Sequence, residues 1–260
     1  MNEIHSTAIV SAEAQLGKGN RIGPYVIIED HVTLGDNNHI AAHTVLKSYT
    51  RLGNDNRVAE HVVLAGLPQD LGFQDKPTYV EIGNGNTLRE GVTINRATKD
   101  NGATRLGNNN YLMALVHVGH DCQLGNNVII APSSGIGGHV QIADRAFISG
   151  GVMVHQFCRI GSFAMLGGNS KITQDCLPFM ITDGAPATVH GLNKVGLKRA
   201  GFKLDAIKAL KEAYRILFRA PVSLDEKLAQ LNSMDNDHVQ ALFNFLQASK
   251  RGFHRDKQAE

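Results

Sequence analysis

Residues 106–172 read LGNNNYLMALVHVGHDCQLGNNVIIAPSSGIGGHVQIADRAFISGGVMVHQFCRIGSFAMLGGNSKI. Taken at every sixth residue from Leu106, the stretch gives Leu, Leu, Val, Leu, Ile, Ile, Ile, Ile, Val, Ile, Leu and Ile. A helix repeats at about 3.6 residues and an ordinary strand at about 2, so neither produces this spacing. A short fixed period is the mark of a solenoid. The same phase runs back to Ile4: of the 29 slots between residues 4 and 172, only Asp70, Lys76 and Asp100 are not aliphatic.

A second slot, two residues before each aliphatic, holds nothing larger than valine or asparagine (Ala8, Asn20, Val26, Asn38, Thr44, Asn56 and later Cys122, Val140, Cys158). A large and a small inward position two apart describe a short strand facing a narrow interior. Glycine often follows the aliphatic (Gly17, Gly35, Gly53, Gly83, Gly107, Gly125), with asparagine close behind, as tight corners require. The pattern resembles the hexapeptide-repeat acyltransferases. The resemblance implies a mostly β fold, a left-handed parallel β-helix of roughly 18 residues per triangular coil. Residue i then lies beneath residue i+18.

Two segments leave the phase. Residues 66–78 (GLPQDLGFQDKPT) read as a loop thrown out of the coil, and 97–104 as a shorter one. After Ile172 the repeat fades through Pro178 and Pro186, and from Leu204 the apolar spacing becomes helical (Ile207, Leu210, Tyr214, Leu217). Ser223 with Glu226 makes a capping box for a second helix, and Val239, Leu242, Phe243 and Leu246 mark a third. The expected organisation is a β-helix over 1–190 and a C-terminal α-helical cap domain over 191–260, which also covers an open end of strand edges.

The formal net charge of +2 argues for neither nucleic acid nor a membrane as partner. There is no apolar run near the length of a membrane span and no basic-then-apolar leader, so a soluble, cytoplasmic protein with no transmembrane segment is expected. The three cysteines, Cys122, Cys158 and Cys176, fall on the small interior slot and read as core. Residues 194–219 carry eight Lys and Arg against Asp205 and Glu212, a basic patch suited to an acidic carrier protein or a phosphorylated ligand.

His117, His120, His139 and His155 occupy neither interior slot, so they face outward or sit at corners. Stacking by 18 sets His139 above Asp121 and His155 above Gly137. Histidine suits general-base work near neutral pH, and a carboxylate beside it holds the tautomer. The rival use is a trimeric histidine–zinc hydratase of the γ-carbonic anhydrase type. The close pair here is three residues apart, which departs from the five-residue spacing of that family.

His117-Val-Gly-His120-Asp121-Cys122, Gly137-Gly138-His139-Val140, Val154-His155-Gln156-Phe157-Cys158, Gly196-Leu197-Lys198-Arg199 and Gln69-Asp70-Leu71 resemble the UDP-N-acetylglucosamine O-acyltransferases of lipid A synthesis over essentially the whole chain. The resemblance implies transfer of an (R)-3-hydroxyacyl chain from acyl carrier protein to the 3-hydroxyl of UDP-N-acetylglucosamine, without metal or cofactor. It implies His120 as base, Asp121 as its orienter and the backbone N–H of Gly138 as oxyanion donor. Gln69, Asp70, His117, His139, His155 and Gln156 would hold the substrates. Asn193 and Arg199 would hold the nucleotide from a neighbouring subunit of a homotrimer. Gly168 matches the end of the acyl groove, where glycine leaves room for a longer chain. Gly72, Asn95, Val195 and Ala200 depart from the usual Lys, His, Glu and Arg, so a 3-amino sugar nucleotide remains open as acceptor.

Overall fold

The computed structural model describes residues 1–256. Short strands, two residues long for the most part, run from Glu3–Ile4 to Lys171–Ile172 and stack in parallel into three faces of a triangular coil. The fold is a left-handed parallel β-helix with C-terminal helices. Register holds the coil length: Ile4 pairs with Ile22, Ile22 with Ile40 and Ile40 with Val58. Across the two loops the steps lengthen, from Leu52 to Ile82 and from Ile82 to Leu106. The chain leaves the coil after Val63–Gly66 and returns at Tyr79–Ile82; it leaves again after Thr93–Asn95 and returns at Ala103–Leu106.

The period-six aliphatics form the core: Ile28, Ile40, Leu46, Leu64, Leu88, Ile94, Leu112, Ile130, Ile136 and Ile148 are all fully buried. Each such burial is worth about 1.5–3 kcal/mol. The small slot builds a second system. Buried Asn20, Asn38, Asn56 and Asn86 each accept, through Oδ1, the backbone N–H of the asparagine one coil on. Asn110 ends this ladder by accepting from Val128, and among the described residues its Nδ2 has no partner. The three cysteine thiols are buried, and burial pushes Cys122 up to about 12 and Cys158 up to about 11.

The corner glycines act differently from the expectation. The left-handed backbone falls three residues after the aliphatic and is taken mostly by other residues, among them Tyr25, His31, Asn37, His43 and Tyr49. Glycine directly after the aliphatic serves close approach instead. A Cβ on Gly35 would strike Asn54 Oδ1, and one on Gly53 would strike Asn84 Oδ1. Those amide oxygens accept the N–H of Asp36 and Asn54 at 2.7 Å, so the glycine clears room for a hydrogen bond between coils.

Beyond Ile172 the chain forms an antiparallel hairpin, Met180–Gly184 with Ala187–Leu192, which the fading repeat did not announce. Four helices follow among the described residues: α1 (Lys194–Arg199), α2 (Leu204–Arg219), α3 (Leu224–Asn232) and α4 (Asp237–Gln247). Ser223 and Glu226 form the capping box of α3. The helices bury Leu210, Leu217, Leu231, Val239 and Leu242 together with Leu177, Phe179 and Met180.

Candidate active site

Asp121 and His139 sit one coil apart at the same corner, both in the left-handed conformation (φ +60° and +61°). That conformation turns their side chains out of the coil and stacks them. His139 lies parallel on Phe157 of the next coil, with ring centroids 4.6 Å apart, and edge-on to His120 at 5.1 Å. His120 Nδ1 lies 2.8 Å from Asp121 Oδ2, with both side chains largely buried. A hydrogen bond there requires the proton on Nδ1, which leaves Nε2 as the open acceptor.

Thr98, from the second loop, closes over the carboxylate. Its Oγ1 donates to Asp121 Oδ2 at 2.7 Å, and its backbone N–H reaches both oxygens at 3.1–3.2 Å. The backbone N–H of Asp121 donates to Thr104 Oγ1 at 2.8 Å. Burial alone would raise the Asp121 carboxyl; the hydrogen bonds from His120 and Thr98 outweigh it and hold the acid below its usual range. His139 Nε2 stands 3.6 Å from the same oxygen. Burial lowers His139, opposed by the Asp121 charge, and burial with the neighbouring His120 lowers His117.

Gly138 faces the open side of His120. A Cβ there would stand 2.6 Å from Cε1 and 2.7 Å from Nε2. Among the described residues its backbone N–H has no acceptor. An open imidazole nitrogen and a free N–H therefore lie side by side. This pairing suits a proton taken from a nucleophile next to a developing oxyanion.

The other expected residues divide. The Asp70 charge is felt at His139, and its Oδ1 accepts from Gly72 N at 2.8 Å in the first loop, where Gln69 is exposed beside it. His117 does not turn to Asp121: its Nδ1 meets Thr93 Oγ1 at 2.8 Å. His155 is exposed beside Gln156, with Arg251 Nη2 3.2 Å from its Nδ1. Two of the four histidines thus converge on the aspartate. His120, Asp121 and His139 could jointly hold a metal ion, but Asp121 Oδ2 already accepts from His120 and Thr98.

Asn193 and Arg199 lie elsewhere. They line a cleft of about 700 Å³ against another face of the coil, with Arg145, Phe147, Phe163 and Met165. Asn193 caps α1, accepting from Gly196 N at 3.0 Å and donating to Phe163 O at 3.0 Å. Gly168 is exposed, and a Cβ there would meet nothing nearer than Gly150 O at 3.5 Å.

The bacterial transferase hexapeptide profile matches residues 13–48 and 103–138, and the profile of domain 2 of UDP N-acetylglucosamine O-acyltransferase matches 175–254. An acyl-[acyl-carrier-protein]–UDP-N-acetylglucosamine O-acyltransferase of Paraburkholderia phymatum is 48% identical, over 98% of this chain and 100% of its own length. The chain belongs to this acyltransferase family. Solved UDP-N-acetylglucosamine acyltransferases agree in fold. That of Bacteroides fragilis superposes with a TM-score of 0.95 at 36% identity, over 97% of this chain and 100% of its own. That of Francisella novicida superposes with 0.96 at 32% identity, over 98% and 95%.

Thr98 and Thr93, which hold Asp121 and His117, are not among the candidate residues that the sequence marks. A register signal existed for Thr98. Ile94 pairs with Val118, so the position beneath Asp121 is Ala97 at the mouth of the second loop, next to Thr98. Nor is Arg96 among those candidates; its buried guanidinium pairs with Asp75 and donates to Lys76 O at 3.0 Å, tying the first loop to the second.

Proposed function

We propose that the chain transfers an (R)-3-hydroxyacyl group from acyl carrier protein to the 3-hydroxyl of UDP-N-acetylglucosamine, the first step of lipid A biosynthesis. The observation that carries this reading is the pairing of His120 with Gly138: the imidazole tied to Asp121 through Nδ1, its free edge lying over a glycine whose N–H is unspent. His120 Nε2 takes the proton of the sugar hydroxyl as that oxygen attacks the thioester carbonyl. The Gly138 N–H receives the charge on the carbonyl oxygen. Collapse breaks the C–S bond, and the proton on His120 passes to the departing thiolate. Atoms and electrons balance without metal or cofactor.

In this reading Gln69, Asp70, His117, His139, His155 and Gln156 hold sugar, diphosphate and acyl hydroxyl, and Gly168 ends the acyl groove. Asn193 and Arg199 reach the nucleotide from a neighbouring copy in a homotrimer, consistent with their separate cleft. The chain divides near residue 190 into coil and helical cap. The reaction is cytoplasmic, where its carrier protein is made; among the described residues no helix is long and apolar enough to cross a membrane. Exposed Lys194, Lys198, Lys203 and Lys211 offer a basic approach for the acidic carrier.

The test is a transfer assay with a panel of (R)-3-hydroxyacyl carrier proteins and UDP-N-acetylglucosamine beside its 3-amino analogue. Transfer to the hydroxyl sugar, lost in His120→Ala, is expected. Transfer to the amine alone would keep donor and base and reassign the acceptor. Transfer to neither would overturn the reading, and stoichiometric metal in the purified protein would then favour the hydratase.

A further inference from the structure

We infer that Thr98 is a positioning residue for the transfer: it holds the Asp121 carboxylate in the orientation that presents His120 as the base. The inference rests on the dyad reading above and adds to it a third member, contributed by the extruded loop and not by the coil.

The argument begins with what the carboxylate needs. Asp121 stands at a corner with a left-handed backbone, and its short side chain can rotate about two bonds. His120 alone contacts one oxygen, Oδ2. A carboxylate held at one point can swing, and the imidazole would swing with it. His139 Nε2 at 3.6 Å from that oxygen is too distant for a hydrogen bond. Among the described residues the remaining constraint on the side chain comes from Thr98. Its hydroxyl donates to Oδ2 at 2.7 Å and its N–H bridges Oδ1 and Oδ2 at 3.2 and 3.1 Å. Two donors from one residue fix both the position and the plane of the carboxylate.

Thr98 is itself anchored. Arg96, two residues before it, is buried and donates its N–H to Gly66 O at 2.9 Å and its guanidinium to Lys76 O at 3.0 Å. On the far side, Asn101 N donates to Pro77 O and Tyr79 N to Gly102 O. The two loops are thus stitched together, and the loop bearing Gln69 and Asp70 shares one support with the clamp on Asp121. Thr98 touches the dyad's acid and not the reacting atoms, so its effect should fall on turnover and not on substrate binding.

The experiment is steady-state kinetics on Thr98→Val, Thr98→Ser, Asp121→Asn and Thr98→Val/Asp121→Asn, with His120→Ala as reference and a melting temperature for each. Valine keeps the shape and removes the hydroxyl. Thr98→Val should lower kcat roughly tenfold, a misorientation effect, with both KM values held within about twofold. Thr98→Ser should restore kcat. In the Asp121→Asn background the valine change should cost nothing further, because its route of action is gone. An unchanged kcat in Thr98→Val, a loss that serine does not rescue, or the same tenfold loss with Asp121 already replaced would each overturn the inference. His120→Ala separates the two claims. If that variant is inactive while Thr98→Val is not impaired, the dyad stands and Thr98 falls. If His120→Ala remains active, the underlying reading falls first.

Discussion

The same corner of the coil carries an acid, a histidine and an aromatic ring in vertical order twice. In the lower coils these are Glu13, His31 and Tyr49; in the upper coils, Asp121, His139 and Phe157. Both histidines have left-handed backbones and lie on the ring above, His31 on Tyr49 at 5.5 Å and His139 on Phe157 at 4.6 Å. Both stand near the acid below, at 3.9 and 3.6 Å. The trio is therefore what register does with such residues, and by itself it makes no site. The lower pair is more than half exposed on both sides, and among the described residues no hydrogen bond reaches the Glu13 carboxylate. The upper corner adds lateral neighbours: His120 where the lower has Ala12, Gly138 where it has Asp30, and Thr98 from the extruded loop.

Removing the lateral base should produce the largest effect. His120→Ala is expected to lower kcat about 10²–10⁴-fold, with the oligomer size by light scattering and the melting temperature unchanged. Next comes Gly138→Ala. The new Cβ would press on the His120 ring from 2.6 and 2.7 Å, so ring or coil must shift. A misplacement of this kind costs on the order of a hundredfold in kcat, while the corner below already holds a side chain at Asp30. A Gly138→Ala enzyme of normal turnover would remove the close approach from the account of the site.

This contrast also explains what was legible in the sequence. Vertical relations follow from counting: Ile22 beneath Ile40, Asp121 beneath His139 and the asparagine ladder from Asn20 to Asn56 are fixed by period six once the coil is assumed. Lateral relations between neighbours in sequence, such as His120 with Asp121, are nearly as direct. What counting could not reach lies where the period breaks. Thr98 and Arg96 act from segments outside the coil, and loop geometry has no repeat to reveal it. The hairpin 180–192 escaped for the same reason. Asn193 and Arg199 were recognisable as residues, but their cleft on another face is a three-dimensional relation between helix and coil that spacing does not encode.

The upper corner should also mark the pH dependence of stability. His117 and His139 have their protonation lowered by burial in the folded chain. The unfolded chain, titrating near 6.5, then binds protons that the folded one refuses, so stability rises with pH across this range. Lowering pH through about 6.5 should erode stability progressively until the folded histidines themselves take up protons. Asp121, held low, contributes the same sign in a separate, more acidic window, below the ordinary carboxylate value. Urea midpoints measured from pH 8 to pH 5 should fall, and His139→Gln should flatten the slope. An unaltered slope would mean that His139 is not desolvated in solution.

The smallest expected effect falls on the lower corner and bears most directly on the comparison. His31→Ala removes a ring stacked on Tyr49 and a distant contact with Glu13, both at the surface. Exposed pairs of this kind contribute about 0–1 kcal/mol, so stability should move by less than about 0.5 kcal/mol and kcat by less than about twofold. The equivalent His139→Ala change should slow transfer, because that ring borders the dyad and the oxygen that His120 uses. Equal kinetic losses in the two variants would mean that the vertical stack carries function along the whole corner. Unequal losses would tie function to the three lateral additions, and measuring both variants in one assay decides between these accounts.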